Sequence, residues 1–273
     1  MRRAALALSL ALLVVLAGCT ALPFGDDRPP SDDRALETLD RTTAAVSDVE
    51  TYRFEARMHA SATADGRERT ATAEGSGAVN VSAERLRATT RIDGGGGSLA
   101  AGGANDAATV ETYVDGNTSY RQCRPPWDGW AVESVPESDR WRDATPLSNH
   151  LTLLERSRVY WRGDRTVDGN RTVLIEAYPT RETIESLAER RQTAGETGLA
   201  DASLENATAQ LWIDPETDLP VRSRLRLQIS RRDVTATATL TTTYRGYDEP
   251  VSVTIPPTAT VEENQYELGC PGD

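Results

Sequence analysis

The residues able to do chemistry are few, and most lack the company that chemistry needs. His59 falls on the polar side of an alternating stretch, and His150 stands in a helical stretch with no serine or cysteine motif nearby. Neither belongs to a metal-spaced His/Cys cluster. Asp214, Glu216 and Asp218 alternate like cation ligands, but Leu219 and Leu225 stand where a calcium loop needs glycine and glutamate. That segment therefore reads as a turn. Arg222, Arg224 and Arg226 share one strand face, where they either clamp an anion or balance acids on neighbouring strands. Trp127, Trp130 and Trp141 cluster in a Pro-rich segment beside Cys123, where they either stack on a ligand or pack around a sulfur bridge. The Gly-rich run 93–106 lacks the Lys-Ser/Thr ending of a phosphate-binding loop. No enzyme and no cofactor is expected.

The remaining chemistry lies in three cysteines. Arg2-Arg3 precede an apolar run from Ala4 to Ala17 broken only by Ser9, followed by Gly18 and Cys19. A positive start, an apolar middle and small residues at a cleavage point make a secretory signal. Leu16-Ala17-Gly18-Cys19 resembles the lipobox of lipoproteins. That resemblance implies that residues 1–18 are a signal peptide and that Cys19 is lipidated and becomes the first mature residue. Two acyl chains, at about 0.8 kcal/mol per buried CH₂, anchor stably. An uncleaved helix is the competing reading, since no charge occurs from Ala4 to Phe24; Gly18, Pro23 and Gly25 make its last part a poor helix. These two readings put the rest of the chain at the extracytoplasmic face of the cell membrane; full release after cleavage is the third alternative. The twin arginines lack the preceding Ser/Thr of a twin-arginine export signal.

With Cys19 lipidated, Cys123 and Cys270 remain as an even pair in an oxidising compartment, either bridged or as two free thiols. Asn80, Asn117, Asn170 and Asn206 open Asn-x-Ser/Thr sequons and are N-glycosylation acceptors on an exported surface.

Composition narrows the partners. The 273-residue chain carries a net charge of −12, and all 30 of its basic residues are arginine. Nucleic acid and anionic lipid headgroups are not expected as partners, because binding them needs basic patches. An acidic, lysine-free, Thr- and Ala-rich chain resembles proteins of extreme halophilic archaea. Near 1 M salt the Debye length is about 3 Å, so a large negative charge repels itself little.

These residues are positioned by a recognisable order of elements. Residues 19–31 hold Pro23, Gly25, Pro29 and Pro30 and read as a tether. Ser31 is expected to cap a helix over about 32–47, with Leu36, Leu39, Thr43 and Val46 as its apolar stripe. The period then changes to two: Tyr52, Phe54, Ala56, Met58 and Ala60 alternate with Arg53, Glu55, Arg57 and His59. Further strands are expected around 69–81, 84–92, 108–114, 118–123 and 129–135. A helix follows from Thr145-Pro146, with Leu147, Leu151 and Leu154 in line. Strands at 158–167 and 171–178 precede a third helix over 180–192, which turns Ile184 and Leu187 inward. A polar segment then runs to Asn206. Strands at 209–214, 221–230 and 234–245 come next, and Val251, Val253 and Ile255 suggest one more. The sum is α+β, in one domain over 32–273.

Tyr113-Val114-Asp115-Gly116-Asn117 with Tyr120, and Leu211 to Val221 with its Asp214-Pro215-Glu216-Thr217-Asp218-Leu219-Pro220 turn, resemble the LolA-like superfamily. That group includes mycobacterial lipid-carrier lipoproteins. More narrowly, the chain resembles lipoproteins that halophilic archaea carry in many copies. The resemblance spans roughly 33–256 and implies a curved antiparallel half-barrel sheet with helices covering its concave face. It further implies a hydrophobic or amphiphilic ligand between them, with Tyr52, Phe54, Met58, Leu225 and Leu227 as lining. The other reading is a structural or protein-interaction envelope lipoprotein with no ligand cavity.

Overall fold

In the computed structural model, the described residues are 28–64, 66–93, 108–134, 145–191, 203–232, 234–267 and 269–271. The signal peptide, Cys19 and most of the tether lie outside them, as do Trp141 and the Gly-rich run 94–107. Ser31–Asp273 forms one compact unit. Among the described residues no helix is long and apolar enough to cross a membrane.

Among the described residues, three helices, α1 (Asp33–Ser47), α2 (Pro146–Glu155) and α3 (Arg181–Arg191), accompany twelve strands. The strands are β1 (Thr51–Ala64), β2 (Arg67–Asn80), β3 (Arg85–Asp93), β4 (Ala108–Asp115), β5 (Thr118–Gln122) and β6 (Trp130–Ser134). They continue with β7 (Arg158–Val167), β8 (Asn170–Tyr178), β9 (Ser203–Ile213), β10 (Pro220–Arg231), β11 (Val234–Arg245) and β12 (Gln265–Tyr266). All join one open sheet in the order β12-β6-β5-β4-β3-β2-β1-β11-β10-β9-β8-β7. Two meanders are thus stitched together where β1 pairs with β11, and β12 adds a parallel pairing with β6. The α+β expectation agrees with this sheet, and its meander is interrupted only by the helices.

The helices cover one face at one end. α1 packs on β7, and α2 lies against β7, β8 and β9 and between the other two helices. Their buried leucines meet Tyr52, Phe54, Val79, Ile175, Leu211, Ile213 and Tyr244 from five strands in a single core. Burying each such side chain contributes about 1.5–3 kcal/mol.

Two details of α1 differ from expectation. Its cap is Asp32, whose carboxylate accepts from the Arg34 N–H at 2.9 Å, while Ser31 Oγ accepts from the Val159 N–H at 3.1 Å on the edge of β7. Ser31 therefore blunts a sheet edge instead of starting the helix. The buried stripe is Ala35, Thr38, Leu39, Thr42 and Val46, and Leu36 is 39% exposed. Small residues face the sheet because the helix lies close on it, and Leu36 is rotated about 100° from Ala35.

The C-terminal segment also departs from the sequence reading. Val251–Ile255 forms no strand, because Pro250, Pro256 and Pro257 deny the N–H groups that a ladder needs. It crosses the opposite face of the sheet as a strap. Val251, Val253 and Ile255 there pack with Tyr113, Tyr120, Trp130 and Val132 in a second core. Thr51 Oγ1 and Asn80 Nδ2 donate to the strap carbonyls of Glu249 (2.6 Å) and Val251 (3.3 Å). β9 also begins earlier than expected, at Ser203, so part of the expected polar segment is strand.

Candidate ligand-binding face

Strand register fixes which side chains share the helix-side face. Phe54 stands opposite Tyr244, Met58 opposite Leu240, and Ala60 opposite Ala238. β10 continues each row: Leu240 faces Leu225, Ala238 faces Leu227 and Ala236 faces Ile229. β9 adds Ala209 and Ala207, and β2 adds Ala73 beside Met58 and Ala71 beside Ala60. These rows are therefore apolar, with Thr242 and Ser223 as polar members toward the core end and Arg67, Arg69 and Arg231 at the far end of the face.

The helices close only part of it. Tyr52 (2% exposed) and Phe54 (7%) are sealed beneath them, whereas Met58, on the same face, is 39% exposed. Leu225, Leu227, Ile229 and Leu240 are half-buried. Of the five expected lining residues, Tyr52 and Phe54 are filled core, and Met58, Leu225 and Leu227 lie on the less covered band. Leu240 and Ile229 belong to that band as well, and the alternation of their strands was their signal in the sequence. Between these large side chains the floor is alanine: Ala56, Ala60, Ala62, Ala236 and Ala238.

The aromatic end is electrostatically inert. Burial pushes the Tyr52 hydroxyl far above its ordinary range against the opposing Thr145 hydrogen bond, so it stays protonated. Burial does the same to Tyr247, whose hydroxyl donates to the Pro220 carbonyl at 2.6 Å. Tyr244 and Ser223 hydroxyls share a 2.9 Å hydrogen bond. These groups close a core and offer no base or nucleophile.

The outer face carries the polar groups. Burial pushes the Glu176 carboxyl up, but hydrogen bonds from Tyr178 (2.6 Å), Gln210 (2.7 Å) and Arg162 (2.8 Å) together hold it below its ordinary value. Arg222 pairs with Asp168 at 3.0 Å, and Arg224 lies over the Trp212 ring at 5.3 Å, so these two balance and pack within the sheet.

The remaining candidates are structural. His150 is buried, with Nε2 3.1 Å from the Gln210 carbonyl, and His59 is exposed on the outer face. Asp214 accepts from the Glu216 N–H at 2.8 Å within a tight turn. Among the described residues no group of three or more His, Cys, Asp or Glu is placed to hold a metal. Trp130 packs edge-on against Tyr113 at 5.8 Å, and Trp127 is 45% exposed.

Cys123 and Cys270 are bridged, with Cα atoms 5.4 Å apart, beside Ala131 and Tyr266. The bond pins the strap where β12 pairs with β6. The sequons differ in access. Asn117, Asn170 and Asn206 are exposed. At Asn80, Nδ2, the atom a glycan would use, donates to Val251, and Oδ1 accepts from the Ala83 N–H at 2.9 Å. A glycan there would displace the strap contact.

No family model and no curated protein matches the chain. Solved structures similar to it include lipoprotein LppX of Mycobacterium tuberculosis, at 16% identity and a TM-score of 0.45, covering 82% of this chain and 100% of that one. LprF from Mycobacterium bovis is 14% identical with a TM-score of 0.44, covering 85% and 100%. A LolA-superfamily protein from Nitrosomonas europaea is 7% identical with a TM-score of 0.26, covering 84% and 98%.

Proposed function

We propose that this chain is an extracytoplasmic lipoprotein of the LolA-like kind that holds a hydrophobic or amphiphilic ligand by apolar burial, without covalent chemistry. Its signal peptide is residues 1–18, its lipid anchor is Cys19, its tether is 19–31 and its ligand domain is 32–273. The helices stand on the concave side, and the exposed sequons at Asn117, Asn170 and Asn206 are its glycan acceptors. An acidic, lysine-free surface suits a halophilic archaeal envelope. The observation that carries the ligand reading is the band of Met58, Leu225, Leu227, Ile229 and Leu240, which extends the core's face past the helices. A monomeric protein rarely leaves such a continuous apolar face without use.

The test is mass spectrometry of lipids extracted from the purified full chain, beside a Met58→Arg variant. An amphiphile that co-purifies with the native chain and is lost from the variant supports the reading. Its absence from both sinks it, and leaves an envelope lipoprotein with a filled core. Cys19→Ser is expected to release the chain from the membrane fraction.

A further inference from the structure

The helix-side face is sorted by charge as well as by polarity. On β1, β2 and β3 and on β10 and β11, every acid lies on the outer face: Glu55, Glu68, Glu74 and Asp93. Three charged residues of these strands share the helix-side face, and all are arginine. Arg69 stands opposite Ala62 and Arg67 opposite Ala64. Arg231 stands opposite Val234. All three are exposed and occupy the end of the face farthest from Tyr52 and Phe54. Arg231 is also engaged by a neighbouring group. Glu205, at the β9 bulge, is taken up by the Ser230 hydroxyl on the outer side.

β2 and β10 are separated by β1 and β11, so Arg67 and Arg69 face Arg231 across about 14 Å at ordinary strand spacing. Between them runs the alanine floor that leads to Met58, Leu225 and Leu227. In a chain with a net charge of −12, a face whose described strand residues include no acid, and which ends in guanidinium groups, is selective for one polarity of guest. Guanidinium groups bind phosphate and sulfate oxygens by paired, charge-assisted hydrogen bonds.

We infer that the ligand is a monomeric amphiphile with an anionic phosphate- or sulfate-type headgroup, its chain on the band of Met58, Leu225 and Leu227 and its headgroup between Arg67/Arg69 and Arg231. This rests on the ligand reading above and adds the headgroup and its orientation. A flat membrane surface is the less suitable occupant, because the arginines close one end of an apolar face and do not form a patch of their own.

The test uses the full chain and calorimetric titration with dodecyl phosphate and with dodecyl maltoside, both below their micelle concentrations. The wild type is expected to prefer dodecyl phosphate by about tenfold, as a few charge-assisted hydrogen bonds provide. Arg67→Gln/Arg69→Gln should reduce that preference to about twofold or less and leave maltoside binding unchanged. Leu227→Arg should weaken both. Equal affinities in the wild type overturn the headgroup assignment while sparing the apolar site. Binding of neither amphiphile overturns the ligand reading itself and the assignment with it. Inorganic phosphate binding as tightly as dodecyl phosphate, or binding only to phosphatidylglycerol vesicles, also overturns it. The comparison of headgroups on the wild type decides the matter even if the double variant misfolds.

Discussion

The Phe54 ring occupies the space that a side chain on Gly77 would need. A Cβ at Gly77 would stand 2.4 Å from Phe54 Cζ and 2.5 Å from the Arg87 carbonyl oxygen. The two residues are direct cross-strand partners on β1 and β2, so the ring lies across bare backbone and seals the core's β2 side. Gly77→Ala is expected to destabilise the domain by about 1–3 kcal/mol, the usual range for an overpacked core. Phe54→Leu should recover part of that loss in the double variant, because it removes the ring atoms in conflict. Urea unfolding of the two single variants and the double variant measures this coupling. Strictly additive losses would show that the clash is relieved elsewhere.

The bridge between Cys123 and Cys270 spans 147 residues and fastens the strap across the outer face. Replacing both cysteines with alanine should destabilise the unfolding equilibrium by up to about 5 kcal/mol in the loop-entropy model. The effect should be local before it is global. Hydrogen exchange is expected to quicken first around Val253 and Tyr266, and only later in β9 and β11. Uniform loss of protection across both cores would contradict a role confined to the strap.

Alternation along the strands made the sheet legible. β11 begins and ends at the residues expected from Val234, Ala236, Ala238, Leu240, Thr242 and Tyr244, because one face is apolar but for Thr242. The same alternation failed at Val251, Val253 and Ile255, where flanking prolines turned a strand pattern into a side-chain anchor for a second core. It also could not separate Tyr52 and Phe54 from Met58. Period two reports the side of the sheet on which a residue lies. What stands opposite depends on where the helices land, and that is set by contacts more than a hundred residues distant in sequence. Ser31 illustrates the same limit: a good helix cap by type, it is drawn to the N–H of Val159, 128 residues later on an edge strand.

Glu176 gives the outer face a pH dependence whose sign is fixed. Its folded value lies below its ordinary one, so its contribution to stability is complete above the unfolded carboxyl pKa, about 4.3, and is lost as pH falls through the lower folded value. Glu176→Gln should therefore be less stable than the wild type near pH 7, with the gap narrowing below about pH 4.3. Urea unfolding at fixed salt from neutral to acid pH measures the gap. Parallel curves over that whole range would mean that Tyr178, Gln210 and Arg162 do not favour the ionised form.

Two threonines on α1 separate burial of a hydroxyl from its satisfaction. Thr38 is 3% exposed and its Oγ1 donates to the Arg34 carbonyl at 2.8 Å, whereas Thr42 is fully buried and its Oγ1 has no hydrogen-bond partner. Valine has nearly the shape and helix propensity of threonine, so exchanging one for the other isolates the hydroxyl. Leaving a buried hydroxyl unpaired costs about 1–3 kcal/mol, while a satisfied one contributes about 1 kcal/mol. Thr42→Val should therefore raise stability by about 1 kcal/mol or more, and Thr38→Val should be neutral or lower it. Thermal unfolding of both variants tests the contrast, since the helix, the neighbouring core and the lost atom are shared. A gain at Thr38 equal to that at Thr42 would show that the α1 interface rewards apolar bulk alone.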